Sequence, residues 1–150
     1  MTNGYWDARR AAEALRDEPL WNAHYGRFQD IGPPDTYLKG VWDDRNWLNV
    51  PGPFYGAETD TCCAGIEQAP GHVLVDERGA EFIWRQPRND DELRTVMSAA
   101  YQDPFDGYAW DGDDHWTSAT VLTWWDDRGR VAEWLDYELR MASCTQFDEL

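Results

Sequence analysis

The chain of 150 residues carries 29 Asp and Glu against 13 Lys and Arg, a formal net charge of −16, yet 42% of it is hydrophobic and ten residues are Trp. This balance argues against a disordered chain and against binding to nucleic-acid phosphate or anionic lipid, and the length suits one domain with a real core, expected to span residues 1–150. The acidity favours a cationic partner, or else serves only to keep a Trp-rich fold soluble, with several Trp rings at the surface.

Residues 5–17 hold the good helix formers Ala11, Ala12, Ala14 and Leu15, with Asp7 in the first turn and Pro19 as the stop. Leu20, Trp21, His24, Tyr25 and Phe28 then fall at helical spacing, which predicts an apolar stripe facing the core with His24 as a half-buried ring. From Ile31 to Gly56 repeated Pro and Gly exclude long elements, while Trp42, Trp47, Leu48, Val50, Phe54 and Tyr55 predict a segment that wraps the core. Residues 59–70 read as a loop.

The clearest strand signal follows. His72–Val75 and Ala80–Arg85 flank Asp76-Glu-Arg-Gly79, which predicts a hairpin at about 72–85, extended by a short strand from the 36–56 region. Pro87 stops it, and Asn89 followed by Glu92 resembles a capping box for a helix through about Ala100, with Leu93, Val96, Met97 and Ala100 buried. Thr117 or Ser118 is expected to cap a short helix carrying Val121, Leu122, Trp124 and Trp125. Asp126-Asp127-Arg128-Gly129 should break or bend it, and Val131, Trp134, Leu135 and Leu139 mark a second stripe at helical spacing to about Met141, with a flexible tail from about 142. The expected class is α+β, with about four helices and a small antiparallel sheet built on the hairpin.

Between that capped helix and the last ones lies the most unusual stretch, Asp103-Pro-Phe-Asp-Gly-Tyr-Ala-Trp-Asp-Gly-Asp-Asp-His-Trp116. It holds five carboxylates and four aromatic rings, and no Lys or Arg occurs from Thr95 to Asp127. Its Pro and Gly exclude a long helix, so it reads as an ordered loop. Carboxylates interleaved with rings suit a basic protein surface, since acids steer encounter and rings supply buried area. The candidate partner-binding residues are Asp103, Asp106, Tyr108, Trp110, Asp111, Asp113, Asp114 and Trp116, extended by Glu133 and Asp136 of the last helix. The plainer alternative is that the rings anchor the loop inward and the acids are only solvated, which is expected for Phe105.

Enzyme chemistry has weaker signals. Cys62 and Cys63 with His72 and His115 could serve a small enzyme or a metal-binding protein, but adjacent cysteines seldom reach one ion and no C-x-x-C or H-x-x-x-H spacing exists. Asp111, Asp113 and Asp114 lack the alternation and distal Glu of a calcium loop. No nucleophile elbow or Gly-rich phosphate loop is found. No metal, cofactor or catalytic residue is therefore expected. No apolar run is long enough to span a membrane, the first residues do not read as a secretory signal, and three cysteines make a poor disulfide framework. A reduced, cytoplasmic protein is the expectation.

The stretches Asn49-Val-Pro-Gly-Pro-Phe-Tyr55, Arg85-Gln-Pro-Arg88, Asp103-Pro-Phe-Asp-Gly-Tyr108 and Asp111-Gly-Asp-Asp-His-Trp116 look like those of small bacterial proteins encoded beside toxins. With its acidity, its Trp content and its lack of catalytic motifs, the chain resembles bacterial immunity proteins, over roughly residues 45–135. The resemblance implies inhibition of a cognate toxin by occlusion, often of a nuclease whose phosphate site the acidic side chains occupy. It carries over no active-site residue.

Overall fold

The computed structural model describes the backbone of residues 6–148, with side chains through residue 138 and at Arg140. The fold is α+β. Two units divide it, Met1–His115 and Trp116–Leu150.

In the first unit α1 is Ala8–Ala14, β1 is Leu20–Asn22 and β2 is Arg27–Gln29. β3 is Tyr55–Gly56, α2 is Ala64–Gln68, β4 is Val73–Val75 and β5 is Glu81–Ile83. α3, Asp90–Gln102, leads to β6, Tyr108–Ala109. The strands form three antiparallel pairs, β1–β2, β3–β6 and β4–β5. The expected hairpin is β4–β5, in register Val73 to Ile83 and Val75 to Glu81. The expected strand from the 36–56 region is β3, but its ladder is with β6, Tyr55 opposite Ala109. The acidic stretch is thus stitched into a sheet by its own start.

Local chemistry sets the helix ends. Asp7 is the N-cap of α1, its Oδ1 accepting from the Arg9 and Arg10 N–H groups at 3.1 and 3.2 Å. Asn89 caps α3 by accepting from Glu92 N at 2.9 Å, while the Glu92 carboxylate reaches one residue further back, to Arg88 N at 3.1 Å. α2 falls where the sequence reads as a loop. Its N-cap is Cys63 in the left-handed region (φ 65°), and the buried Glu81 carboxylate takes the Ile66 N–H at 3.1 Å. A five-residue helix held by a remote acid leaves no periodic trace.

Residues 20–29 correct the helical reading. They form a β-hairpin, with Leu20 and Asn22 buried and Trp21 between them exposed. Positions 20, 24 and 28 satisfy a helical period, but Asn22 Oδ1 takes the Tyr25 N–H at 3.0 Å and Gly26 sits at φ +63°. Those two features turn the chain after three strand residues. Tyr25 and Phe28 are 65% and 66% exposed, and His24 is exposed as well, rather than facing the core.

One core gathers Leu15, Leu20, Tyr37, Leu38, Phe54, Val73, Ile83, Leu93, Val96, Met97 and Tyr108. None of the ten Trp residues is fully buried. Asn49, 1% exposed, ties the irregular segment to the strands. Its Oδ1 accepts from Gly56 N and Ile83 N, both at 2.9 Å, and its Nδ2 donates to the Asn46 and Gly56 carbonyls. All four of its hydrogen-bonding positions are used.

The second unit holds α4, Ser118–Asp148. Thr117 and Thr120 cap its start reciprocally, each hydroxyl taking the other's N–H, at 2.8 and 3.2 Å. The break expected at 126–129 does not occur. An interior Gly costs a helix only about 1 kcal/mol relative to Ala, and Arg128 reinforces the turn by stacking over Trp125 at 4.0 Å. α4 also runs past the expected end at about Met141, to Asp148, and the side chains from 141 on lie outside the described residues.

Candidate functional site

The acidic surface is built from two turns of similar sequence. Trp42-Asp43-Asp44 and Gly112-Asp113-Asp114, the second preceded by Trp110-Asp111, each form a single 3₁₀ turn. Asp competes poorly for helix interiors, and in these irregular segments it suits a tight turn. β3 and β6 bring the turns together. Gly112 N donates to the Pro53 carbonyl at 2.8 Å, and a Cβ at Gly112 would collide with the Gly52 carbonyl oxygen. Only glycine permits that approach.

Asp111 is the joint. Its Oδ1 accepts from the Tyr55 hydroxyl at 2.7 Å and its Oδ2 lies 3.0 Å from His115 Nε2. Partial burial raises the Asp111 pKa, but these bonds from Tyr55 and His115 outweigh it and hold the carboxyl below its ordinary value. The His115 ring stacks on Trp42 with centroids 5.0 Å apart and 11° between planes. Trp42 also packs edge-on to Tyr55 at 5.3 Å, and Arg45 lies over it at 4.0 Å. Residues more than 60 positions apart in the chain thereby share one surface.

Around this joint Asp43, Asp44, Asp113 and Asp114 are exposed, with Val41 55% and Trp47 51% exposed beside the first turn. Burial and the neighbouring Asp114 charge push the Asp113 carboxyl up. Arg9 comes in from α1, 3.0 Å from Asp114 and 4.9 Å from the Trp110 ring centroid. The stretch without bases is therefore not without cations. Arg9 and Arg45 stand beside five carboxylates, which leaves the surface acidic.

The predicted residues separate into two groups. Asp111, Asp113, Asp114 and Trp110 lie in this surface. Asp103 is 3% exposed, and its carboxylate accepts from Asp60, Phe105 and Gly107 N–H groups at 2.9, 3.3 and 2.8 Å. Tyr108 is 1% exposed and donates to Glu81 Oε1 at 2.9 Å. Both build the loop and are closed to a partner. Asp106 is half-buried at φ 51°. Phe105, expected inward, is 68% exposed, because Asp103 closes the turn from beneath and leaves the ring no place inside. Trp116, Glu133 and Asp136 belong to the second unit, where Trp116 is half-buried, Glu133 and Asp136 are exposed, and Asp136 pairs with Arg140 at 2.7 Å. Trp42, Asp43, Asp44 and Trp47 escaped the sequence reading. No sequence signal singles them out, because the exact repeat of Trp-Asp-Asp, at 125–127, lies inside α4.

The two neighbouring thiols sit beside acids. Cys62 and Cys63 are exposed; a hydrogen bond to Asp60 pushes the first thiol up, and burial with the Glu81 charge raises the second. His72 is 4% exposed with Nδ1 on the Arg85 carbonyl at 2.8 Å, and burial lowers its pKa. Among the described residues, no three His, Cys, Asp or Glu are grouped to hold a metal ion, and no helix is long and apolar enough to cross a membrane. Burial pushes Glu81 up to about 7, but at 2% exposure it faces Tyr108 and backbone rather than a cleft. Set against protein-family models, curated proteins and solved structures, the chain matches none of them.

Proposed function

We propose that this chain is an acidic protein-binding inhibitor, an immunity protein that neutralises a cognate bacterial toxin by covering its active or substrate-binding site. The observation that carries this reading is the joining of two acidic turns through the Trp42–His115 stack, with four exposed carboxylates around it. The turns are held by β3–β6 pairing and by the Tyr55–Asp111–His115 bonds, so little ordering entropy remains to be lost on binding. Exposed Asp side chains steer a basic partner and occupy phosphate-binding positions, while Trp47 and Val41 supply apolar area. Action in the cytoplasm is part of the same proposal.

Coexpression of the tagged chain with the product of the neighbouring gene tests it. A stoichiometric complex that blocks that product's toxicity is expected, and Asp43→Asn with Asp44→Asn, Asp113→Asn and Asp114→Asn should weaken both. A complex and protection indifferent to all four substitutions would remove the surface from the account, and the absence of any complex would remove the inhibitor.

A further inference from the structure

A cleft of about 350 Å³ opens elsewhere in the first unit, walled by the β1–β2 turn, by α2 and the loop before it, and by the end of α3. His24 and Tyr25 stand on one side, Asp60, Cys62 and Glu67 on another, and Tyr101 with Gln102 on the third. We propose that this cleft binds a guanidinium group, the arginine side chain of a protein partner.

Three independent features select a cation. Two carboxylates, Asp60 and Glu67, line the cleft, and no Lys or Arg does. The wall at Tyr101 and Gln102 is the C-terminal turn of a 13-residue helix, whose carbonyl end carries partial negative charge, and that turn has no basic residue to offset it. Tyr101 is 38% exposed and is held edge-on by Tyr37 at 5.4 Å, which makes it a fixed platform. A flat, delocalised cation stacks on tyrosine and still donates sideways to carboxylates; a compact ammonium does the second far better than the first. The hairpin shows the same preference internally, since Arg27 lies over the Tyr25 ring at 5.2 Å. Glu67 is already oriented, its Oε2 being 3.2 Å from His24 Nδ1. The exposed Cys62 thiol, pushed up by its hydrogen bond to Asp60, serves as a reporter in the wall.

The probe is Nα-acetyl-arginine amide, titrated into the full chain and followed by NMR of the Tyr101 and His24 rings and by the rate of Cys62 alkylation. Saturable shifts at both rings are expected, together with Cys62 alkylation that slows as the probe saturates while Cys63 alkylation does not, and with Kd in the millimolar range of a single side chain. Glu67→Gln should weaken binding about fivefold, the worth of one partly exposed ion pair, and Tyr101→Leu, which removes the platform, should weaken binding a few-fold as read at the His24 ring. Three results would each overturn the proposal: no saturation, equal binding of the uncharged citrulline analogue, or capped lysine binding as tightly as capped arginine. Shifts confined to Trp42, Trp47 and His115 would do so too, because they would place the cation on the acidic turns.

Discussion

Glu81 is a carboxylate that the fold buries, and Glu81→Gln turns that burial into a measurable quantity. The side chain is 2% exposed, with Oε1 on the Tyr108 hydroxyl at 2.9 Å and Oε2 on Ile66 N at 3.1 Å. Burial pushes its pKa from 4.5 to about 7, against the opposing pull of those two bonds. A folded value above the unfolded one means that the stabilising contribution is complete below about pH 4.5 and is lost as pH rises through about 7. At ~1.4 kcal/mol per unit, the full loss is about 3 kcal/mol, most of which falls between pH 5 and pH 8. Gln keeps the shape, offers its oxygen to Ile66 and its amide to Tyr108, and does not titrate. Urea unfolding of both proteins, followed by Trp fluorescence from pH 5 to 8, should show the stability of the variant relative to the parent rising with pH by about 2–3 kcal/mol. The other carboxylates titrate alike in both proteins and cancel. A difference that stays flat across that range would refute the buried, ionising Glu81.

Asn49→Ala should destabilise by about 3–5 kcal/mol in the same unfolding assay, because it orphans the buried N–H groups of Gly56 and Ile83 at once. Gly112→Ala should lower stability by about 1–3 kcal/mol and, in NMR, separate the His115 ring from Trp42, since the Gly52 carbonyl blocks the new methyl. Cys63→Gly should stabilise by about 1 kcal/mol, seen as a Tm roughly 3 °C higher, because a left-handed residue at the α2 cap loses its Cβ penalty.

Elements whose stabilising groups are neighbours in the chain were legible in the sequence. The β4–β5 hairpin and the Asn89-capped helix depend on residues within a few positions of each other, and both stand where the pattern puts them. The helical reading of 20–29 failed because spacing alone cannot separate periods of 2 and 3.6 over nine residues when the turn signal, Asn22 with Gly26, lies inside the run. The short helix α2 was illegible since Glu81, fifteen residues on, holds its Ile66 N–H. In the acidic stretch, composition marked an unusual segment but not the direction of each side chain. Asp103 and Phe105 exchange their expected roles, the acid closing the turn and the ring facing water. The partner turn at Trp42 became visible only through the β3–β6 pairing, a contact more than fifty residues apart in sequence.

The most direct test of the acidic surface is the association rate with the cognate toxin, measured over a range of salt. The four exposed carboxylates Asp43, Asp44, Asp113 and Asp114 act at range, so the parent's association rate should fall steeply as the Debye length shrinks from ~10 Å at 0.1 M to ~3 Å at 1 M. With all four replaced by Asn, association at low salt should slow by about tenfold and its salt dependence should weaken, while dissociation quickens as the acids leave the phosphate-binding positions. An unchanged association rate with an unchanged salt slope would contradict the account, leaving these acids as a solvated face.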